Sequence, residues 1–152
     1  MEKGYKMRLS MKLEIAPVPS GGGRPQVTPP DVKLLTCIGE EGVRKMVSDH
    51  YDLMRSSEIG GMFPRWDKEF EAAKLRSSDF FIQVLGGPDY FNQNQGSPML
   101  VSRHVHFKIT AQAREIWLNA YKEILPKLDA PEEVLVSFWN YLNIFSIWMV
   151  NS

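Results

Sequence analysis

The 152-residue chain has one cysteine, Cys37, three histidines, and no excess of either charge, with 18 Lys+Arg against 18 Asp+Glu. A lone thiol cannot build an internal disulfide framework, and it suits a reducing compartment. Balanced charge leaves no electrostatic footprint for a nucleic acid or an anionic membrane. No segment approaches the roughly 18 apolar residues that a membrane span needs, and "MEKGYKMRLSMKLEIAPVPSGGG" lacks the apolar core of a signal peptide. The expected setting is therefore soluble and cytoplasmic. Beyond residue 31 there is also no convincing strand and no internal repeat, which excludes β architectures and solenoids.

What the chain does have is a helical pattern behind an unusual start. Residues 1–31 contain Pro17, Pro19, Pro25, Pro29, Pro30 and the triplet Gly21–Gly23. Such a stretch is expected to be extended or mobile, a solvated extension ahead of one domain at 32–152. "MRLSMKLEI" alternates partially and could pair as a short strand. From about Ile38, the apolar positions Val43, Met46, Val47, Tyr51 and Met54 follow helical spacing. "GGMFPRWD" interrupts, and Asp67 is a candidate cap for a second helix ending at Gly86-Gly87-Pro88. Residues 89–98 read as a polar loop. Thr110 is placed to cap a third long helix, and Pro131 to open a final one over about 131–150 that is apolar nearly all round. The outer face of that helix, Ile144, Ile147 and Trp148, marks either a homodimer surface or cover by the N-terminal segment. The fold expected is all-α.

Eight Phe, five Tyr and four Trp have to be accommodated, most of them on inward helix faces. Plain packing explains an aromatic stripe; a pocket for a flat apolar cofactor explains it too. Four features favour the pocket. His104 follows a short segment that puts Leu100 one turn earlier on the same face, suiting an imidazole held for a haem iron. Arg103 beside it offers a guanidinium to a propionate. Tyr51 and Trp117 occupy inward positions and would need hydrogen-bond partners there. Ala73 and Ser77, four apart, leave space on the second helix. A zinc-binding His-x-His pair, His104 with His106, lacks further ligands at a recognisable spacing. His50 is expected to face away from the pocket, on the surface.

The ordered motifs "IGEE", "HYDLM", "MFP", "LGGP", "GSPMLVSRHVHFKIT", "IWL" and "MVN" resemble the truncated, two-on-two globins, most closely group II. The resemblance covers about Ile38 to Asn151 and implies a two-on-two helical sandwich around haem b. It implies His104 as the iron ligand and Arg103 as a propionate contact. Tyr51 and Trp117 would lie on the opposite side, donating to bound ligand. Phe63 and Phe80 would pack near the porphyrin, Arg76 near its propionates, and Leu100 and Phe107 also against the cofactor. His106 would point to solvent or a propionate.

There are departures. Ala73 and Ser77 stand where relatives often carry longer polar, ligand-facing side chains, so the ligand side should be roomier. His106 and Lys108 stand where relatives carry proline. The implied function is binding or transport of oxygen, or binding of NO or CO, with sulfide or peroxide as larger candidates. The rival expectations are a haem enzyme detoxifying nitric oxide or peroxide with an unidentified reductase, and a haem-free helical interaction module.

Overall fold

A computed structural model describes residues 11–152. Among these there are six α-helices and no strand: α1 (Lys33–Arg55), α2 (Asp67–Val84), α3 (Tyr90–Gln95), α4 (Leu100–His104), α5 (Ala111–Ile124) and α6 (Glu132–Phe145). Short 3-10 turns at Gly60–Met62, Leu125–Lys127 and Ser146–Met149 follow α1, α5 and α6. The all-α expectation holds. Helix α1 packs against α2, α5 and α6, and α5 packs on α6. Their shared core is aliphatic and aromatic, with Val43, Met46 and Val47 meeting Phe81, Leu118, Phe138 and Leu142.

Local chemistry sets the helix ends. The first helix begins earlier than its spacing suggests, because Gly39 adopts φ 73° inside it. That left-handed conformation is easy only for glycine, and it bends the chain between two helical pieces. At the end of α2, Gly86 sits at φ 87°, with its N–H on the Gln83 carbonyl and the Gly87 N–H on that of Ile82. This is the paired Schellman closure expected of a C-terminal glycine. Thr110 caps α5 as expected, its hydroxyl accepting from the Ala113 N–H.

Three expectations need correction. Asp67 is the first residue of α2 and not its cap; Trp66 precedes the helix, and the Asp67 carboxylate accepts from Arg55 at 3.0 Å. Pro131 likewise precedes α6 by one position. The polar loop at 89–98 contains α3, because Phe91 finds a buried seat against Phe80 that hydropathy alone does not show.

The described part of the N-terminal extension carries contacts that its composition does not announce. Residues 11–31 have no helix or strand, yet they are tied to the domain. Leu13 is buried in the core, and the Asn143 side chain pairs with the tail backbone, donating to the Glu14 carbonyl and accepting from the Ala16 N–H. Arg114, 3% exposed, donates to the carbonyls of Ala16 and Asn143 and to the Ser146 hydroxyl. Trp148 donates its indole N–H to the Pro25 carbonyl, with the Arg24 guanidinium over its ring. The tail thus covers the outer face of the last helix. The first four residues of the proposed strand "MRLSMKLEI" fall outside the described residues; the remainder, residues 11–15, is not a strand.

Candidate functional site

Between α1, α2, α4, α5 and the end of α6 lies a cavity of about 600 Å³, a volume typical of a cofactor or ligand site. Every residue singled out from the sequence for cofactor or ligand lines it: Tyr51, Phe63, Ala73, Arg76, Ser77, Phe80, Leu100, Arg103, His104, Phe107 and Trp117, and His106 lines it as well.

His104 is the last residue of the short helix α4. Its Nδ1–H donates to the Leu100 carbonyl at 2.7 Å, one turn back. Because a carbonyl can only accept, this bond places a proton on Nδ1, so that in the neutral ring it is Nε2 that carries the bare lone pair. The segment carrying this ring is braced by Arg103, which donates from Nε to Pro98 and from Nη2 to the carbonyls of Gln95 and Ser97. The same guanidinium lies over the Phe91 ring. Arg103 therefore closes the α3–α4 loop, and only Nη1 is without a hydrogen bond among the described residues. The propionate expected of it would have to be met by that nitrogen.

Aromatic edges flank two further polar groups of the cavity. Tyr51 meets Phe63 edge-on at 5.3 Å between centroids, and Trp117 meets Phe145 edge-on at 5.9 Å. Burial raises the Tyr51 pKa, opposed by the Ser77 hydroxyl and by the charge of Arg76, so the phenol remains a donor. The Trp117 indole N–H makes no hydrogen bond among the described residues. Ala73 and Ser77 keep the α2 wall low, as their small volume requires.

His50 corrects the sequence reading. It is 1% exposed and lines the cavity. Its ring stacks on Tyr121 at 3.9 Å, and Nε2 donates to the Trp117 carbonyl at 2.9 Å. Burial lowers its pKa to about 4, the Trp117 hydrogen bond opposing, so the imidazole is neutral at pH 7. The expectation of a surface histidine assumed that one arc of α1 faces inward. Since α2 and α5 flank that helix, the adjacent positions 50 and 51 are both turned inward. Tyr121 was read from the sequence only as core; its pKa too is raised, by burial first and by the nearby Tyr51.

The residues present fit a haem. The cavity is lined chiefly by aromatic and aliphatic groups, the His104 imidazole can present Nε2 to it, and Arg76 and Arg103 supply cations. The zinc alternative finds no support: no cluster of three His, Cys, Asp or Glu able to hold a metal occurs among the described residues. No helix there is long and apolar enough to cross a membrane.

Residues 36–151 match the bacterial-like globin family. The chain is 27% identical over 114 residues to the group 2 truncated hemoglobin YjbI of Bacillus subtilis, covering 75% of this chain and 85% of that protein. It is 43% identical over 81 residues to the two-on-two hemoglobin-3 of Arabidopsis thaliana, covering 53% of this chain and 46% of that one. Among solved structures, phosphate-bound Hell's gate globin IV superposes with a TM-score of 0.80 at 37% identity, over 84% of this chain and 80% of that one. The truncated oxygen-avid haemoglobin of Bacillus subtilis superposes with a TM-score of 0.70 at 27% identity, over 78% of this chain and 98% of that one. With this fold, this cavity and this match, the chain belongs to the bacterial-like globins, as a group II truncated globin of the haem-based, gas-binding kind.

Proposed function

We propose that the chain holds haem b through His104 Nε2 and binds oxygen, or another diatomic gas, on the side of Tyr51 and Trp117. The observation that carries this reading is the Nδ1–H bond from His104 to the Leu100 carbonyl, which selects the tautomer whose Nε2 is free to ligate, on a ring lining the cavity. A neutral imidazole anchored in this way is what an iron ligand requires. Bound haem supplies the iron at which a gas ligand is held.

The chain's own residues do the rest. Phe63, Phe80 and Phe107 exclude water and offer flat apolar surface, and Leu100 adds to it. Arg76 and the Nη1 group of Arg103 are placed to neutralise propionates at the rim. A ligand that gains negative charge on binding is stabilised by donors fixed in a water-poor cavity. The Tyr51 phenol, kept protonated by burial, and the Trp117 indole N–H are those donors. Ala73 and Ser77 leave space beside them for a ligand larger than a diatomic, such as sulfide or peroxide.

The test is spectroscopic. The purified protein is expected to show an intense absorption band near 400 nm when ferric and the shifted band of a histidine-ligated carbon monoxide adduct when ferrous. A colourless protein that does not take up added haemin would remove the proposal and favour a haem-free interaction module.

A further inference from the structure

A diatomic gas brings no proton, so binding it gives a base in the cavity nothing to do. His50 is nevertheless such a group, and it has no assigned role. Its Nε2–H is committed to the Trp117 carbonyl at 2.9 Å, which leaves the lone pair on Nδ1. Nδ1 has no hydrogen-bond partner among the described residues. Yet no fully enclosed side-chain nitrogen or oxygen there lacks a partner, so Nδ1 opens onto the cavity that the ring lines. The ring cannot easily turn away, held between the Trp117 carbonyl and the Tyr121 face, with the two planes 19° apart. A purely structural buried imidazole would have both nitrogens partnered.

We propose that His50 Nδ1 is the proton acceptor for small weak acids entering the haem pocket, of the class of hydrogen peroxide, hydrogen cyanide and hydrazoic acid. The inference rests on the haem-binding reading above and extends it to protic ligands. In the step, the H–X bond breaks and its proton forms an N–H bond at Nδ1. The electron pair stays on X, which is left as the anion X⁻ that a bound haem would take up. Neutral imidazole and neutral acid become imidazolium and anion, so net charge is unchanged. Burial keeps the free base present at pH 7 and disfavours the imidazolium until the anion forms beside it. The proton therefore returns when the ligand leaves. A positioned base of this kind contributes roughly 100-fold or more to a proton-transfer step.

The experiment compares haem-loaded wild type with His50→Gln and His50→Phe. Glutamine keeps an N–H in reach of the Trp117 carbonyl but has no basic nitrogen; phenylalanine keeps the stack on Tyr121. Stopped-flow mixing of cyanide with the ferric proteins at pH 7 is expected to show association slowed about ten-fold or more in both variants. Carbon monoxide, with no proton to give, should bind the ferrous proteins within about two-fold of wild type. Nitrogen-15 NMR of the wild-type carbon monoxide form should show His50 protonated at Nε2 and bare at Nδ1. Unchanged cyanide rates, an equal slowing of both ligands, or a proton on Nδ1 would each overturn the role of His50 while leaving haem binding intact. Failure of wild type to load haem would instead remove the reading on which it rests.

Discussion

Three histidines line this cavity, and two of them, His104 and His50, each give an N–H to a backbone carbonyl, but through opposite nitrogens. His104 uses Nδ1, toward Leu100, and leaves the far nitrogen Nε2 bare. His50 uses Nε2, toward Trp117, and leaves the near nitrogen Nδ1 bare. The far nitrogen projects beyond the helix that carries it, as a metal ligand must. The near nitrogen stays close to its own backbone, suited to meeting a small molecule that comes to it. Their supports differ as well. His104 rides on a five-residue helix braced by Arg103, whereas His50 sits within the longer piece of α1, beyond Gly39, at 1% exposure. In the roles proposed, one residue type would serve two chemistries according to which nitrogen the backbone claims.

The largest effect that would break this comparison is expected at His104. His104→Ala should reduce haem content of the purified protein to background, whereas His50→Phe should leave it near wild type; equal pigment in all three would remove the distinction. Next comes the buried Arg114, whose acceptors on Ala16, Asn143 and Ser146 tie the tail to the last helix. Arg114→Met strands several buried acceptors at once, for a loss on the order of 3 kcal/mol in urea unfolding.

The third effect is acid sensitivity. The folded pKa of His50, about 4, lies below its unfolded value of 6.5, so the unfolded state binds the proton first as pH falls. This contribution is complete above pH 6.5 and is lost toward pH 4, by about 3 kcal/mol at most. Unfolding of wild type and His50→Phe at pH 7, 6 and 5 should show the steeper decline in wild type; parallel curves would mean that His50 is not buried as a neutral ring. The smallest effect is at the ligand donors. Tyr51→Phe should speed oxygen release about five-fold, matching about 1 kcal/mol for one buried hydrogen bond, with Trp117→Phe also faster in stopped-flow. Unchanged rates in both would take the donor role away from this side.

Which parts were legible in the sequence follows from the range of the interactions involved. The Thr110 cap, the Gly86 closure and the His104–Leu100 turn each depend on residues a few positions apart, so spacing exposes them. The cavity residues were brought together by the resemblance more than by periodicity, which could not tell an aromatic core from an aromatic pocket. His50 was misplaced because helical spacing assigns one buried arc, and only packing shows that α1 is flanked on two sides. The tail was misplaced because Asn143 and Arg114 hold it across gaps of 127 and 98 residues, by polar bonds that hydropathy does not register.

Residue spacing by itself determined the four long helices, the stop of the second at Gly86, and an imidazole one turn beyond Leu100, because these are settled by local backbone geometry and side-chain volume. Only the tertiary structure decided which nitrogen of each histidine is bare, that His50 is buried, and that residues 11–31 cover the last helix. Those outcomes depend on where a distant carbonyl or amide arrives, and that is a property of packing.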